Sequence, residues 1–188
     1  MTKNIMIVGV GGQGTLLASR ILGNTVINEG YDVKVSEVHG MSQRGGSVVT
    51  YVKYGERVYS PIIDEGEADI ILAFEMLEAY RAMPYLKKDG QIIANSQNID
   101  PMPVITGAAE YPADIEKKIA EKADITVVDA LSLAKEAGNI KAVNVVLIGV
   151  MAKNTDIPYE KWIETIKTTV PEKFLDVNLR AFELGYNM

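Results

Sequence analysis

Apolar residues along this chain fall into short unbroken runs separated by stretches of helical period. Asn4-Ile-Met-Ile-Val-Gly9 is such a run, stopping at glycines, and it predicts a parallel strand buried on both faces. Leu17, Ile21 and Val26 then recur at near-helical spacing, and Gly30 stands where that helix should stop. Asp32 to Glu37 predicts a second strand, completing a β–α–β unit. Ser47 to Tyr54 alternates well enough for a strand; Gly55-Glu56 reads as a turn and Arg57 to Ser60 as the returning strand, stopped by Pro61. Ala68 to Phe74 is again a buried run, followed by a helix over Glu75 to Leu86, a turn at Lys88-Asp89-Gly90 and a strand over Gln91 to Asn95.

Three prolines in Ser96 to Pro112 indicate a loop, with a short strand possible at Val104-Ile105. Beyond it the pattern predicts a helix over Ala113 to Lys122, a strand over Asp124 to Asp129 and a short helix over Ser132 to Ala137, ended by Gly138. Asn144 to Ala152 is strongly apolar. Pro158 opens a helix around Trp162 and Ile166, and Pro171-Glu172 opens another reaching about Leu184. The alternation predicts an α/β doubly wound, Rossmann-like three-layer fold. Its sheet is mostly parallel, with an antiparallel hairpin at one edge, and C-terminal helices cover it. No repeat or linker interrupts residues 1–188, which are read as a single domain.

Composition narrows the chemistry. The 188 residues contain no Cys, which excludes disulfides, thiolate metal sites and a cluster held by cysteines of this chain. A single His leaves only His39 for histidine chemistry and no multi-histidine metal site. Net charge −6 argues against nucleic acid as a partner. No apolar stretch approaches the ~18 residues a membrane span needs, and the N-terminus lacks a signal-peptide pattern. These readings point to a cytoplasmic protein.

Two glycine-rich segments carry the candidate chemistry. Gly9-x-Gly11-x-x-Gly14 lies after a strand and before a helix, where glycines allow a tight turn and let an anion approach backbone N–H groups. Gly11, Gly12, Gln13 and Gly14 are therefore candidate binding residues, although the same glycines can serve only to shape the turn. Glu37, at the end of the second strand, stands where a dinucleotide ribose is held, or is simply a solvated strand end.

The second segment, Gly40-Met-Ser-Gln-Arg-Gly-Gly46, superficially suggests a nucleophile elbow. Arg44 replaces that motif's second glycine, and His39 is too close in sequence to be an ordinary triad base. An arginine on a glycine-rich loop is better suited to bidentate anion binding, which nominates Gln43, Arg44, Gly45 and Gly46. No P-loop is present, nor a Gly-Asp-Gly of the thiamine-diphosphate type. Glu75 and Glu78 share one predicted helix face, able to take a cation or a partner's arginine but more commonly a solvated face. No catalytic or metal-binding residue is nominated.

Read together, Gly9-Val-Gly-Gly-Gln-Gly14, Glu37-Val-His-Gly-Met-Ser-Gln-Arg-Gly-Gly-Ser-Val48, Ser60-Pro61, Ala68-Asp69, Phe74-Glu75 and Asn144 resemble the gamma-type domain of 2-oxoacid:ferredoxin oxidoreductases, most closely its indolepyruvate (beta-subunit) branch. Met76 departs mildly from the pattern, since relatives often carry proline there. The resemblance implies a non-autonomous subunit of a complex that oxidatively decarboxylates a 2-oxoacid with coenzyme A, giving acyl-CoA, carbon dioxide and reduced ferredoxin. It further implies that thiamine diphosphate and Fe–S clusters belong to a large alpha subunit. This chain would then border the active site and assist with coenzyme A. The alternative is a stand-alone dinucleotide-binding module or small NAD(P)-dependent dehydrogenase.

Overall fold

The computed structural model describes residues 2–40 and 45–188. In chain order the elements are β1 (Lys3–Val10), α1 (Thr15–Asn28), β2 (Asp32–His39), β3 (Ser47–Gly55), β4 (Ala68–Ala73), α2 (Met76–Ala82) and β5 (Leu86–Asn95). There follow α3 (Met102–Ile105), α4 (Ile115–Ala120), β6 (Asp124–Val128), α5 (Ala130–Ala137), α6 (Val143–Ala152), α7 (Tyr159–Thr169) and α8 (Leu175–Tyr186). The six strands lie in the order β2-β3-β1-β4-β5-β6. β1, β4, β5 and β6 are mutually parallel, and β3 runs antiparallel to both β1 and β2.

Strand alternation divides the core between two layers. Ile5, Ile7, Leu72 and Ile93 face the side covered by α1 and α5 through α8. Met6, Val8, Ile71 and Ile92 face the side covered by α2 and α4. This is the predicted three-layer architecture, and burial on both faces explains why the central strands are uniformly apolar. Among the described residues no helix is long and apolar enough to cross a membrane.

Three local expectations are corrected. Arg57 to Ser60 is not a strand, because β3 already has β1 on one side and β2 on the other, leaving no ladder edge to pair with. Instead the Val58 N–H donates to Asp32 Oδ2 at 2.8 Å, and the antiparallel hairpin at the sheet edge is made by β2 and β3. Val104-Ile105 belongs to the one-turn helix α3, whose prolines sit where no N–H donor is needed. Lys88-Asp89-Gly90 is not a turn but lies inside β5, at a register shift against β4. A Cβ at Gly90 would stand 2.8 Å from the Ala68 carbonyl oxygen, so this glycine serves close approach of two strands.

The C-terminal half is built on α6, in which all ten residues are buried. A helix apolar on every face save for Asn144 must be covered all round, and α8 covers it at backbone contact. Cβ atoms added at Gly149 or Gly185 would lie 2.2 Å from the Phe182 oxygen and 2.1 Å from the Val146 oxygen. Trp162 of α7 and Phe182 of α8, both fully buried, stack at 6.2 Å and close this layer.

Candidate functional site

From β1 the chain turns through α1 toward the β2 edge, whereas from β4 it turns through α2 toward β5 and β6. The sheet therefore reverses its direction of winding between β1 and β4. In doubly wound folds the crevice beyond the carboxyl ends of such strands is the usual ligand site. Antiparallel pairing brings Ser47 opposite Val10 and His39 opposite Val48, so the hairpin end rises at this same end of the sheet. The result is a cleft of about 360 Å³ lined by Gly11, Gly12, Gly14, Thr15, Leu16, Glu37, His39 and Val48.

Two of the predicted segments meet here. The Gly11 N–H donates to the Gly46 carbonyl at 2.9 Å, tying the glycine turn to the end of the hairpin loop. Gly12, Gly14 and Gly45 have φ of +99°, +84° and +76°, a left-handed backbone that explains glycine at each. Gly14 is the N-cap of α1 and offers no side-chain cap, in contrast to Asp129, which accepts the Ser132 N–H ahead of α5. Among the described residues, the N–H groups of Gly12, Gly14, Thr15 and Leu16 have no protein acceptor. With the positive end of the helix dipole behind them, they are donors of the kind that can receive an anion.

Gln13 does something different. Its Oε1 accepts the Val10 N–H at 2.8 Å and its Nε2 donates to the Phe74 carbonyl at 2.9 Å, so the side chain straps β1 to β4 across the switch point. Gln43 and Arg44 lie outside the described residues. Glu37 is exposed on the opposite wall, and Thr50 Oγ1 donates to its Oε2 at 3.2 Å. His39 is exposed, and its Nδ1 lies 3.4 Å from the neighbouring Gly40 carbonyl. Among the described residues no group of three acidic or histidine side chains is placed to hold a metal ion.

The expectation that Glu75 and Glu78 form a solvated face is overturned, since they are 1% and 4% exposed. α2 lies on the sheet with its first turn inward, and each carboxylate is saturated with donors. Glu75 Oε2 accepts the Glu78 N–H at 2.9 Å, while its Oε1 accepts the Ile99 N–H at 3.0 Å and the Tyr111 hydroxyl at 2.5 Å. Burial and that carboxylate push the Tyr111 phenol far above its ordinary range. Glu78 accepts the Ser47 hydroxyl at 2.5 Å and pairs with Arg81 at 2.6 Å.

Sequence reasoning missed Ser47, Tyr111 and the function of Asn144. Buried at the start of α6, Asn144 donates through Nδ2 to the Gly14 carbonyl at 3.2 Å. A Cβ on Gly14 would come within 2.7 Å of that nitrogen, so two distant segments share one tight contact. The available signal was Glu-x-x-Glu directly after a buried strand, a pattern suited to N-capping. A second cavity of about 670 Å³ lies between α2, α4 and the ends of β5 and β6, bordered by Ser96, Asn98, Tyr111 and Lys117.

Fold and cleft define a doubly wound α/β protein with an N–H-lined crevice at its switch point. Residues 4–188 match the family model of pyruvate ferredoxin/flavodoxin oxidoreductase, and the chain belongs to this family. It is 50% identical over 188 residues to indolepyruvate oxidoreductase subunit IorB of Thermococcus kodakarensis, covering 97% of this chain and 93% of that protein. The gamma subunit of keto/oxoacid ferredoxin oxidoreductase from Geobacter sulfurreducens matches with a TM-score of 0.74 at 23% identity, over 98% of this chain and 96% of that one. 2-Oxoglutarate:ferredoxin oxidoreductase from Magnetococcus marinus, solved with 2-oxoglutarate, coenzyme A and succinyl-CoA bound, matches with a TM-score of 0.75 at 18% identity. That match takes in 99% of this chain and 30% of the other. At these identities the two structures establish likeness of fold.

Proposed function

We propose that this chain is a subunit of a cytoplasmic 2-oxoacid:ferredoxin oxidoreductase acting on indolepyruvate or another aryl 2-oxoacid, and that its cleft receives the anionic part of coenzyme A. The observation that carries the coenzyme A reading is the meeting of Gly11–Gly14 with Gly46 beside N–H groups that have no acceptor among the described residues. Supporting the subunit reading is the near full-length likeness to an indolepyruvate oxidoreductase subunit.

With no cysteine, the chain has no thiolate to hold an Fe–S cluster, and it lacks the Gly-Asp-Gly of a thiamine-diphosphate site. We assign the decarboxylation and the electron relay to ferredoxin to a larger partner subunit. What this chain supplies is binding and orientation. The N–H groups at the start of α1 hold phosphate oxygens, and the Arg44 guanidinium adds a forked, charge-assisted contact. Glu37, on the other wall, accepts from ligand hydroxyl or amino groups and repels a phosphate bound in the wrong sense.

The test is reconstitution with the large subunit. Arg44→Ala and Arg44→Lys should each raise the apparent coenzyme A constant roughly ten- to hundredfold, the effect of losing about 1.5–3 kcal/mol. Wild-type constants with assembly intact would reject the assignment. Loss of assembly alone would move Arg44 to the subunit interface.

A further inference from the structure

Around the switch-point crevice, hydrogen bonds form a closed circuit. Gly11 donates to Gly46, the next residue Ser47 donates to Glu78, and the Glu78 N–H donates to Glu75. Phe74, adjoining Glu75, accepts from the Gln13 side chain, whose other end receives the Val10 N–H beside Gly11. Of its two carboxylates, Glu78 joins the first turn of α2 to the first residue of β3 from 31 residues away in sequence. A carboxylate 4% exposed is costly unless every oxygen is engaged, and this one accepts from Ser47 on one oxygen and Arg81 on the other. An apolar residue would fill the place without that cost, but it could not set the height of Ser47.

We propose that Glu78 is a positioning residue, with Ser47 as the group it acts through. Holding Ser47 fixes the Gly46 carbonyl, and that carbonyl fixes the Gly11 end of the glycine turn. The pair thereby sets the spacing of the N–H groups that meet the anion, so it governs substrate affinity more than turnover. This inference rests on the coenzyme A reading for its ligand, whereas the positioning itself can be read without one. Arg81, half exposed, keeps the Glu78 charge compensated on the solvent side.

Ser47→Ala, Ser47→Thr, Glu78→Gln and the double variant Ser47→Ala/Glu78→Gln are compared with wild type and Arg44→Ala in the reconstituted complex. Ser47 is exposed, so its alanine variant removes no packed apolar group, and the one interior change is the lost donor to Glu78 Oε2. Ser47→Ala and Glu78→Gln should raise the apparent coenzyme A constant about five- to twentyfold with kcat within about twofold, and Ser47→Thr should restore wild-type values. The double variant should be no worse than the worse single, because both cut the same link. Hydrogen exchange of the peptide containing Gly11 should accelerate in Ser47→Ala and Glu78→Gln but not in Ser47→Thr. Unchanged exchange in all variants overturns the positioning role whatever the ligand. Faster exchange with an unchanged coenzyme A constant, while Arg44→Ala raises that constant, overturns the link to affinity alone. An unchanged constant in every variant, Arg44→Ala included, overturns the coenzyme A reading, and the exchange result then decides the positioning role by itself.

Discussion

Tyr54 shows how a single side chain couples packing to pH. It lies 7% exposed on β3, edge-on to Tyr31 with ring centroids 5.6 Å apart. Burial, reinforced by nearby Tyr31, Asp156 and Asp69, pushes its phenol from 10.0 up to about 12. The folded chain keeps this proton at pH values where the unfolded chain releases it. The stabilisation is thus complete below pH 10 and is lost as pH rises through about 12. A shift of that size corresponds to about 2–3 kcal/mol. Tyr54→Phe, which keeps the ring and removes the titrating hydroxyl, should flatten the fall in unfolding free energy, measured by urea titration, across this window by that amount. Parallel curves for variant and wild type would rule it out. At the same scale, Glu75 and Glu78 show that charge does not determine exposure. In sequence they resemble any acidic pair on a helix, and only the fold supplies the donors from Ser47, Ile99 and Tyr111 that make their burial tolerable.

Between elements, the tightest demand is the crossing of α6 and α8. Gly149 and Gly185 let the two backbones touch, and any side chain there must drive the helices apart. Gly149→Ala should cost about 3 kcal/mol or more, lowering Tm by roughly 6–12 °C for a chain of this length. Gly40→Ala, whose added Cβ meets nothing within 4 Å among the described residues, is the control and should stay within about 0.5 kcal/mol of wild type. Thermal melts of the two variants decide the matter, and equal melting temperatures would show that the helices have room to move. The consequence reaches the cleft, because α6 begins beside Asn144 and Asn144 holds Gly14. A shift of α6 is felt in the turn that presents the N–H groups.

As a whole molecule, the chain has its candidate cleft at one end of one sheet and carries no cysteine with which to relay electrons through a cluster. Purified alone and assayed anaerobically with indolepyruvate, coenzyme A, thiamine diphosphate and a viologen dye, it should show no turnover above background. Adding the large subunit should restore activity. Turnover by the isolated chain would contradict the proposed division of labour.

How much of this was legible in sequence follows from the range of the interactions involved. Strand and helix identities depend on local apolar period, so β1, β4, the core of β5, β6 and the long helices could be read directly, as could the glycine turn before α1. The resemblance carried by Gly9–Gly14 and Glu37–Val48 placed the family before any fold was seen. Strand order was not legible. Whether Ser47–Gly55 pairs backward with β2 or forward with Arg57–Ser60 depends on which ladder edges remain free, a property of the assembled sheet. Nor could the local pattern reveal that Gln13 is a strap, that Asn144 closes on Gly14, or that Glu78 reaches Ser47. Those contacts span 61, 130 and 31 residues. Local propensity has no term at such separations; only the folding of the chain on itself brings these groups within hydrogen-bond reach.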